Sequence, residues 1–287
     1  MKIKITYLFF LAIFFFNFSY SQENKNEKAP RWIIGKMHKA IQQHTDLRFT
    51  LFRAERINDK YIKGSFDGKL KTNPFKIYFK NNYPNEGVEI LYKNGENGNK
   101  AWVNPNSFPY LTLSFHPENK LICAGGHHTF KMVGFSTFDG LLLNYETKYQ
   151  EDFYNYINYL GKVKWKDMVC YKFMFKHPEY KILKYSTKRG ETLKRIAFSK
   201  GLNIAKLKEL NNKINPEEEL REGKEILITN TYEKEVLFYI DSKSFLPVYQ
   251  EIYDEKGLYE KYAYSNLEYD KPIPEKEFSI YYKDYNF

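Results

Sequence analysis

The spacing of apolar residues changes along the chain and predicts where helices and strands lie. Residues 31–43 carry apolar positions three and four residues apart, which predicts an amphipathic helix with an inner face of Ile33, Ile34, Met37, Ala40 and Ile41. From Leu47 onward the apolar residues recur at every second position, as Leu47, Phe49 and Leu51 show. Such alternation is typical of β-strands, so a sheet is expected to follow the helix.

A long series of strands is predicted after this point. The patterns indicate strands at residues 47–57, 60–72, 75–81, 87–93, 99–104, 109–115, 168–176, 233–241, 246–254 and 258–268. Turn signals such as Asn94-Gly95 separate them and favour antiparallel neighbours. A second helix is predicted over residues 146–160 from Tyr149, Phe153, Tyr156, Ile157 and Leu160. The fold class is therefore α+β, with an antiparallel sheet and few helices.

The first 21 residues predict the cellular compartment of the protein. Two lysines precede the apolar run from Ile5 to Phe16, and small residues end the segment at Ser19 and Ser21, so residues 1–21 are expected to be a secretory signal peptide. A buried N-terminal strand is the alternative. No cysteine follows the run, so we expect no lipoprotein anchor and a periplasmic or secreted product. The polar residues 22–30 are expected to form a flexible leader.

Composition narrows the class of protein. The chain has 287 residues, of which 43% are hydrophobic and 18% aromatic, so a sizeable folded core is expected. No later apolar run approaches the roughly 20 residues of a membrane-spanning helix. The simplest explanation of the net charge of +10 is a charged surface exposed to solvent. Binding of anionic lipid or wall polymer to that surface is the alternative. In an exported protein we expect no nucleic-acid partner.

Residues 184–229 differ in pattern and predict an inserted module. A short strand, two short helices and a closing strand follow one another, with apolar positions such as Ile196, Leu207 and Ile226. The block resembles a LysM domain at Tyr185, Gly190, Glu191, Thr192, Leu193, Ile196, Ala197, Leu207, Leu210, Asn211, Leu220, Gly223, Ile226 and Ile228. The resemblance implies binding of peptidoglycan or another N-acetylglucosamine glycan.

The resemblance also implies where the glycan would bind. The groove of LysM domains lies between two loops, which in this sequence are Gly190, Glu191, Thr192 and Leu193 on one side and Asn211, Asn212, Lys213, Ile214 and Asn215 on the other. Backbone amides and a small apolar notch can recognise an N-acetyl group without a catalytic group. A purely structural insert that has lost glycan affinity is the alternative.

The remaining segments, 31–183 and 230–287, form the expected host domain. Pro74-Phe75-Lys76-Ile77-Tyr78, Val103-Asn104-Pro105 and Gly126-His127-His128-Thr129 are similar to the domain of unknown function 1571. That family and the segment around Asp241 to Tyr259 resemble the LolA-like periplasmic lipoprotein-carrier fold. The resemblance implies a half-open antiparallel β-barrel with N-terminal and lid helices around an apolar cavity.

Aromatic residues could line such a cavity and hold a lipid or acyl chain. The candidates are Phe49, Phe66, Phe75, Tyr78, Phe79, Tyr92, Trp102, Phe115 and Phe135. Each of them could equally belong to an ordinary core.

The cysteines and histidines are the candidates for a disulfide, a metal site or catalysis. Cys123 and Cys170 could form a disulfide in an oxidising compartment, or remain two small buried residues. His127 and His128 are adjacent, and neighbouring strand residues point to opposite faces, so we predict no metal site. We likewise predict no cofactor and no enzymatic activity.

These observations predict an exported, non-catalytic cell-envelope protein. The insert would bind peptidoglycan or a related N-acetylglucosamine glycan, and the half-barrel would hold an apolar ligand. The alternative is a periplasmic carrier or chaperone for lipids or lipoproteins, in which the insert is only structural. An enzyme acting on wall glycan would instead turn over muropeptides with Glu191, which we do not expect.

Overall fold

A computed structural model describes residues 23–108, 110–123, 126–269 and 271–287. The predicted signal peptide, residues 1–21, lies outside this described part of the chain. The chain begins with helix α1 (Glu23–Gln43) and continues through the strands β1 (Asp46–Ile57), β2 (Lys60–Thr72), β3 (Phe75–Tyr83), β4 (Glu89–Lys93), β5 (Ala101–Asn104) and β6 (Leu113–Phe115). Helices α2 (Lys120–Cys123) and α3 (Ser136–Tyr149) follow.

The second half returns to the sheet on both sides of the insert. It comprises β7 (Ile157–Trp165), β8 (Met168–Lys176), β9 (Ile182–Ser186), α4 (Leu193–Lys200), α5 (Ile204–Leu210), β10 (Glu225–Thr229), β11 (Glu235–Asp241), β12 (Pro247–Asp254) and β13 (Gly257–Glu268). Short 3₁₀ turns lie at Asn97–Asn99, Phe130–Met132, Gln150–Tyr156 and Glu275–Phe278.

One 11-stranded antiparallel sheet organises the host domain. Its order is β6-β5-β4-β3-β2-β1-β13-β12-β11-β8-β7, and the sheet is open, with β6 and β7 as its edges. The N-terminal strand β1 therefore pairs with β13 from the end of the chain, across residues such as Leu51 and Tyr264. The predicted α+β class with an open antiparallel sheet and few helices is confirmed.

Helices α1 and α3 cover one face of the sheet. The five apolar residues predicted for the inner face of α1 are all buried in the main core. His38 of α1 and Asp139 of α3 approach to 2.5 Å between Nδ1 and Oδ1, which ties the two helices together. The main core lies between these helices and the sheet and includes Phe173, Phe175 and Phe238.

Two predictions about the helices are wrong. Residues 23–30, predicted as a flexible leader, belong to α1, because Glu, Lys and Ala favour helix and the helix continues across Pro30. The helix predicted at 146–160 is displaced: α3 ends at Tyr149, and β7 occupies 157–165 with every second residue more buried. Ile157 fits both periods, and pairing with β8 selects the strand.

The insert is a small unit with its own core. Strands β9 and β10 form a two-stranded antiparallel sheet, and α4 and α5 pack on it through Leu193, Ile196, Leu207, Leu220 and Ile226. Thr192 caps α4 by accepting the Arg195 N–H, and Asn203 caps α5 by accepting the N–H groups of Ala205 and Lys206. The strand, helix, helix, strand order is the one predicted.

Glu233 gives the protein a predictable pH dependence. Its carboxyl group is buried; Tyr145 donates to Oε2 at 3.1 Å, and Oε1 has no partner within the described ranges. Burial raises the pKa of Glu233 to about 8. The native protein therefore keeps this proton up to pH 8, whereas the unfolded chain releases it near pH 4.5, so native stability is lost as the pH rises between these values.

Replacing Glu233 with Gln keeps the hydrogen bond and removes the titration. The unfolding free energy of the variant, relative to wild type, is expected to rise by about 4 kcal/mol between pH 4.5 and 8.5. Urea unfolding at several pH values measures this difference. A difference that stays constant with pH would show that Glu233 is ionised in the native protein.

Candidate functional site

A cavity of about 590 Å³ lies between the open sheet, α3, residues 122–123 and 128–134, and the insert. We call it the sheet cavity. Helix α3 faces it with Thr137, Gly140, Leu141 and Asn144, which recur at three- and four-residue steps and so share one face. A volume of this size is within the range of small-molecule binding sites.

Three cross-strand rows form much of the sheet wall. Leu51, Arg53 and Glu55 are alternate residues of β1, so their side chains share the cavity face. From β2 through β1 to β13 the rows are Phe66, Leu51 and Tyr264; then Gly64, Arg53 and Tyr262; then Ile62, Glu55 and Glu260. The wall therefore changes from apolar to charged along the strands.

The charged part of the cavity is a connected hydrogen-bond network. We call its cavity-lining members, Arg53, Glu55, His128, Tyr232, Glu260 and Tyr262, the polar end. The carboxylate of Glu260 is fully buried and lies 2.7 Å from His127 Nδ1 and 3.1 Å from His128 Nε2. Tyr262 donates to Glu55 at 2.7 Å, and Arg53 Nη1 donates to Glu55 at 3.0 Å.

Electrostatics make His128 and Glu260 a charged pair. Burial alone would raise the pKa of Glu260, but the charge of His128 and hydrogen bonds from both histidines hold it well below its usual value. Burial would lower the pKa of His128, but the charge of Glu260 and its hydrogen bond outweigh this and raise it. Each shift therefore favours the charged form of its group inside the protein.

The two adjacent histidines converge instead of diverging. In a regular strand the two side chains would face opposite sides, but both histidines lie outside helices and strands, where both rings reach Glu260. Gly126 permits this close packing, because a Cβ there would lie 2.2 Å from Arg53 Nη1 and 2.6 Å from Glu55 Oε2. A glycine directly before two histidines was the available sequence signal.

The aromatic residues predicted for the cavity divide into three groups. Phe66, Phe79 and Phe115 line it. Four others, Phe49, Phe75, Tyr92 and Phe135, belong to the main core or pack against it. Tyr78 and Trp102 lie in a separate cluster with the C-terminal residues, where Tyr78 stacks on Tyr285 at 3.7 Å between ring centroids. Neighbouring strand residues alternate faces, so Tyr78 and Phe79 separate.

The insert completes one side of the sheet cavity. Ala197, Phe198, Gly201 and Leu202, from the end of α4 and the turn to α5, line it. Asn203 Nδ2 donates to Glu260 at 2.9 Å and to Tyr232 at 2.9 Å. The insert thus contributes directly to the polar end, which its resemblance to a glycan-binding module did not predict.

A buried lysine also joins the insert to the host domain. Lys206 is 1% exposed and its Nζ lies 2.7 Å from Asp254 and 2.6 Å from Glu255. Arg56 also pairs with Asp254. The carboxylates of Glu209, Asp254 and Glu255 converge here and are neutralised by these cations and by Lys256, which lies 2.6 Å from Glu209.

The two loops of the predicted glycan groove lie side by side. The Lys194 N–H donates to the Pro216 carbonyl at 3.1 Å, and the Leu220 N–H donates to the Glu191 carbonyl at 2.8 Å. Lys194 also pairs with Glu118 of the host domain at 2.8 Å. The loops therefore form one surface at the start of α4 and the end of α5.

Several predicted groove residues support the module itself. Leu193 and Ile214 are buried in its core, and Thr192 is the cap of α4. Glu191 accepts hydrogen bonds from the Tyr185 hydroxyl and the Lys188 N–H, and Asn211 binds both the N–H and the carbonyl of Leu227. Gly190 has a φ of 79°, which glycine adopts without strain. Asn212, Lys213 and Asn215 are exposed on the rim.

Cys123 and Cys170 are both free, so of the two alternatives the unpaired one holds and the possible disulfide is not formed. Cys123, the last residue of α2, lines the sheet cavity, whereas Cys170 lies fully buried in β8, paired with Asp241 and Val163 of the neighbouring strands. Burial raises the pKa of the Cys170 thiol to about 12, so it remains protonated. The two residues belong to different parts of the fold.

Family comparisons identify both parts of the chain. The model of the DUF1571 family, a protein of unknown function, matches residues 44–189, just over half of the 287 residues. The LysM domain model matches residues 185–229, close to the predicted 184–229. None of the curated proteins matches the sequence. No helix in the described ranges is long and apolar enough to cross a membrane.

Several solved structures are similar to this chain at low sequence identity. A LolA superfamily protein from Nitrosomonas europaea is 12% identical, with 87% of this chain and 96% of that chain covered and a TM-score of 0.34. Lipoprotein LppX from Mycobacterium tuberculosis is 10% identical, with coverages of 86% and 98% and a TM-score of 0.41. LprF from Mycobacterium bovis is 11% identical, with coverages of 87% and 97% and a TM-score of 0.42.

Proposed function

Because this chain belongs to the DUF1571 family and contains a LysM domain, we propose that it is an exported, non-catalytic cell-envelope protein with two binding sites. The LysM insert binds peptidoglycan or a related N-acetylglucosamine glycan. The sheet cavity holds an apolar ligand, a lipid or an acyl chain. Its compartment is the periplasm or the cell exterior, as the N-terminal sequence predicts.

The arrangement of α4 and α5 carries this proposal. The predicted glycan loops lie at the start of α4 and the end of α5, whereas the cavity-lining residues Ala197, Phe198 and Leu202 lie at the opposite helix ends. Ala197 lies four residues after the groove residue Leu193, about 6 Å along the axis of α4. Glycan and cavity ligand can therefore bind at the same time, with the insert touching both.

The cavity walls support an acyl ligand. Phe66, Phe79, Ile90, Val103 and Phe130 all line it, and an alkyl chain there removes apolar surface from water on both sides. Burying each methylene group contributes about 0.8 kcal/mol. A chain of ordinary length therefore has enough driving force to bind. The ligand is bound without a chemical reaction in this function.

The contacts that hold the insert in place favour a second candidate. Lys206 and Asn203 fix the insert to Asp254 and Glu260, so the insert could serve only to complete the cavity of a lipid or lipoprotein carrier. In that case the protein would bind lipid but not wall glycan.

Sedimentation with insoluble peptidoglycan distinguishes the two candidates. Protein lacking residues 1–21 is expected to pellet with peptidoglycan at 150 mM salt, and soluble N-acetylglucosamine oligomers should compete. The double variant Asn212→Glu/Lys213→Glu should weaken binding by about tenfold, because peptidoglycan carries carboxylates that two rim glutamates repel.

The matched control is Ser199→Glu/Lys200→Glu. It makes the same change in charge on exposed residues at the other end of α4, so it should bind peptidoglycan like wild type. Equal losses in both variants, or no pelleting of wild type, would favour the candidate in which the insert is only structural.

A further inference from the structure

The polar end of the sheet cavity leaves cationic donors free while its carboxylates are occupied. Glu55 accepts hydrogen bonds from the Tyr262 hydroxyl, the backbone N–H of His127 and Arg53 Nη1. Glu260 Oε1 lies within hydrogen-bond distance of both histidines and of Asn203, and Oε2 accepts from Tyr232. A ligand that only donates hydrogen bonds would find these acceptors already used.

The unused polar atoms belong to Arg53 and His128. Arg53 uses Nη1 on Glu55, and its Nε and Nη2 have no partner within the described part of the chain. His128 uses Nε2 on Glu260 and Tyr232, and no described residue is a partner for Nδ1. Their side chains are 21% and 17% exposed and both line the cavity.

The surroundings leave room for a head group beside Arg53. Gly64, its neighbour on β2, has no side chain, and a Cβ there would lie 3.5 Å from Arg53 Nε. Arg53 and His128 both adjoin Tyr262, since Arg53 is its partner on β1 and the His128 ring centroid lies 6.2 Å from the tyrosine ring. The next row of the wall, with Leu51 and Phe66, is apolar.

We propose that the sheet cavity selects an acyl chain with an anionic head group, a carboxylate or a phosphate, which binds the free donors of Arg53 and His128. The alkyl chain then extends over Leu51 and Phe66 toward Phe79. A guanidinium offers two parallel N–H donors to an oxyanion, and charged hydrogen bonds of this kind are shorter and stronger than neutral ones. The charge of Glu260 raises the pKa of His128, which favours the cationic form of its imidazole beside the ligand.

This inference rests on the proposed lipid-binding function and specifies its ligand. Calorimetric titration of delipidated protein with four probes tests it: oleate, oleoyl lysophosphatidate, oleyl alcohol and oleylamine. Oleate or the lysophosphatidate should bind at least tenfold more tightly than the alcohol, and the amine most weakly. Oleate and the lysophosphatidate distinguish a carboxylate from a phosphate as the preferred head.

Substitution of Arg53 shows whether the preference arises at this residue. Arg53→Gln should reduce the advantage of the anionic probe over oleyl alcohol to less than about threefold. The double variant Arg53→Gln/Glu55→Gln also removes the Glu55 carboxylate that would otherwise lose its arginine partner. It should show the same loss of anion preference, so it replaces the single variant if that variant is unstable. Arg48→Gln is the matched control, because Arg48 is also on β1 and paired, with Glu277 at 2.9 Å, but is outside the cavity.

The outcomes separate this inference from the function it rests on. Equal binding of oleate, alcohol and amine by wild type, or an anion preference retained in both Arg53 variants, overturns the inference but keeps the lipid site. Failure of every probe to bind the delipidated protein overturns the lipid function itself.

Discussion

Replacing Gly140 with tryptophan is expected to abolish acyl-chain binding, a loss of more than about 100-fold, while the protein stays folded. Gly140 lies on the face of α3 that lines the sheet cavity, and a Cβ at this position would meet no atom within 4 Å. The indole ring would therefore occupy space that the ligand needs. Tryptophan also has a higher helix propensity than glycine, so α3 itself should not be weakened.

Gly140→Ala is the matched control for this substitution. A methyl group fills little of a 590 Å³ cavity, and the change should stabilise α3 by about 0.5–1 kcal/mol. Titration of both variants with oleate, together with thermal unfolding, measures the effects. Wild-type affinity in a folded Gly140→Trp variant would show that acyl chains bind elsewhere.

Replacing Lys206 with methionine is expected to reduce the unfolding free energy by about 3 to 5 kcal/mol. The methionine keeps a side chain of similar length but leaves buried Asp254 with Arg56 alone and Glu255 without its ammonium partner. Removing one member of a buried charge network leaves charge that the surrounding protein cannot solvate. Urea unfolding of both proteins gives the difference.

Lys194→Met provides the comparison for Lys206. Lys194 also joins the insert to a host carboxylate, Glu118, but its side chain is 46% exposed and that of Glu118 is 56% exposed. Its loss should cost less than about 1 kcal/mol. Similar small effects of both substitutions would mean that the insert is not held on the host domain by the Lys206 contacts.

Strand and module patterns could be predicted from the sequence because local periodicity carries them. The alternation at Leu47, Phe49 and Leu51 survives in β1, where all three side chains are buried. The LysM pattern is equally local, since its core residues and caps lie within one short segment. The open antiparallel sheet followed from these strands.

Other elements depended on contacts that local periodicity does not encode. Ile157 fits a strand as well as the predicted helix over residues 146–160, and the pairing of β7 with β8 decides between them. The sequence alone allows a disulfide between Cys123 and Cys170, but the fold places Cys123 at the cavity and Cys170 inside the sheet.

The candidate site was the least predictable part. Glu55 and Glu260 are far apart in sequence and become neighbours only because β1 pairs with β13. Asn203 reaches Glu260 because the insert docks on the host domain, which no motif indicated. Three of the nine aromatic residues predicted for the cavity line it, since face alternation and register decide which rings point inward.

Co-sedimentation of radiolabelled oleate with insoluble peptidoglycan tests the central claim most directly. With wild-type protein present, we expect oleate to pellet in proportion to the protein. The Gly140→Trp variant should pellet without oleate, and Asn212→Glu/Lys213→Glu should bring down less protein and, in proportion, less oleate. Pelleted wild-type protein that carries no oleate, or oleate that binds only to protein free of peptidoglycan, would contradict simultaneous binding at the two sites.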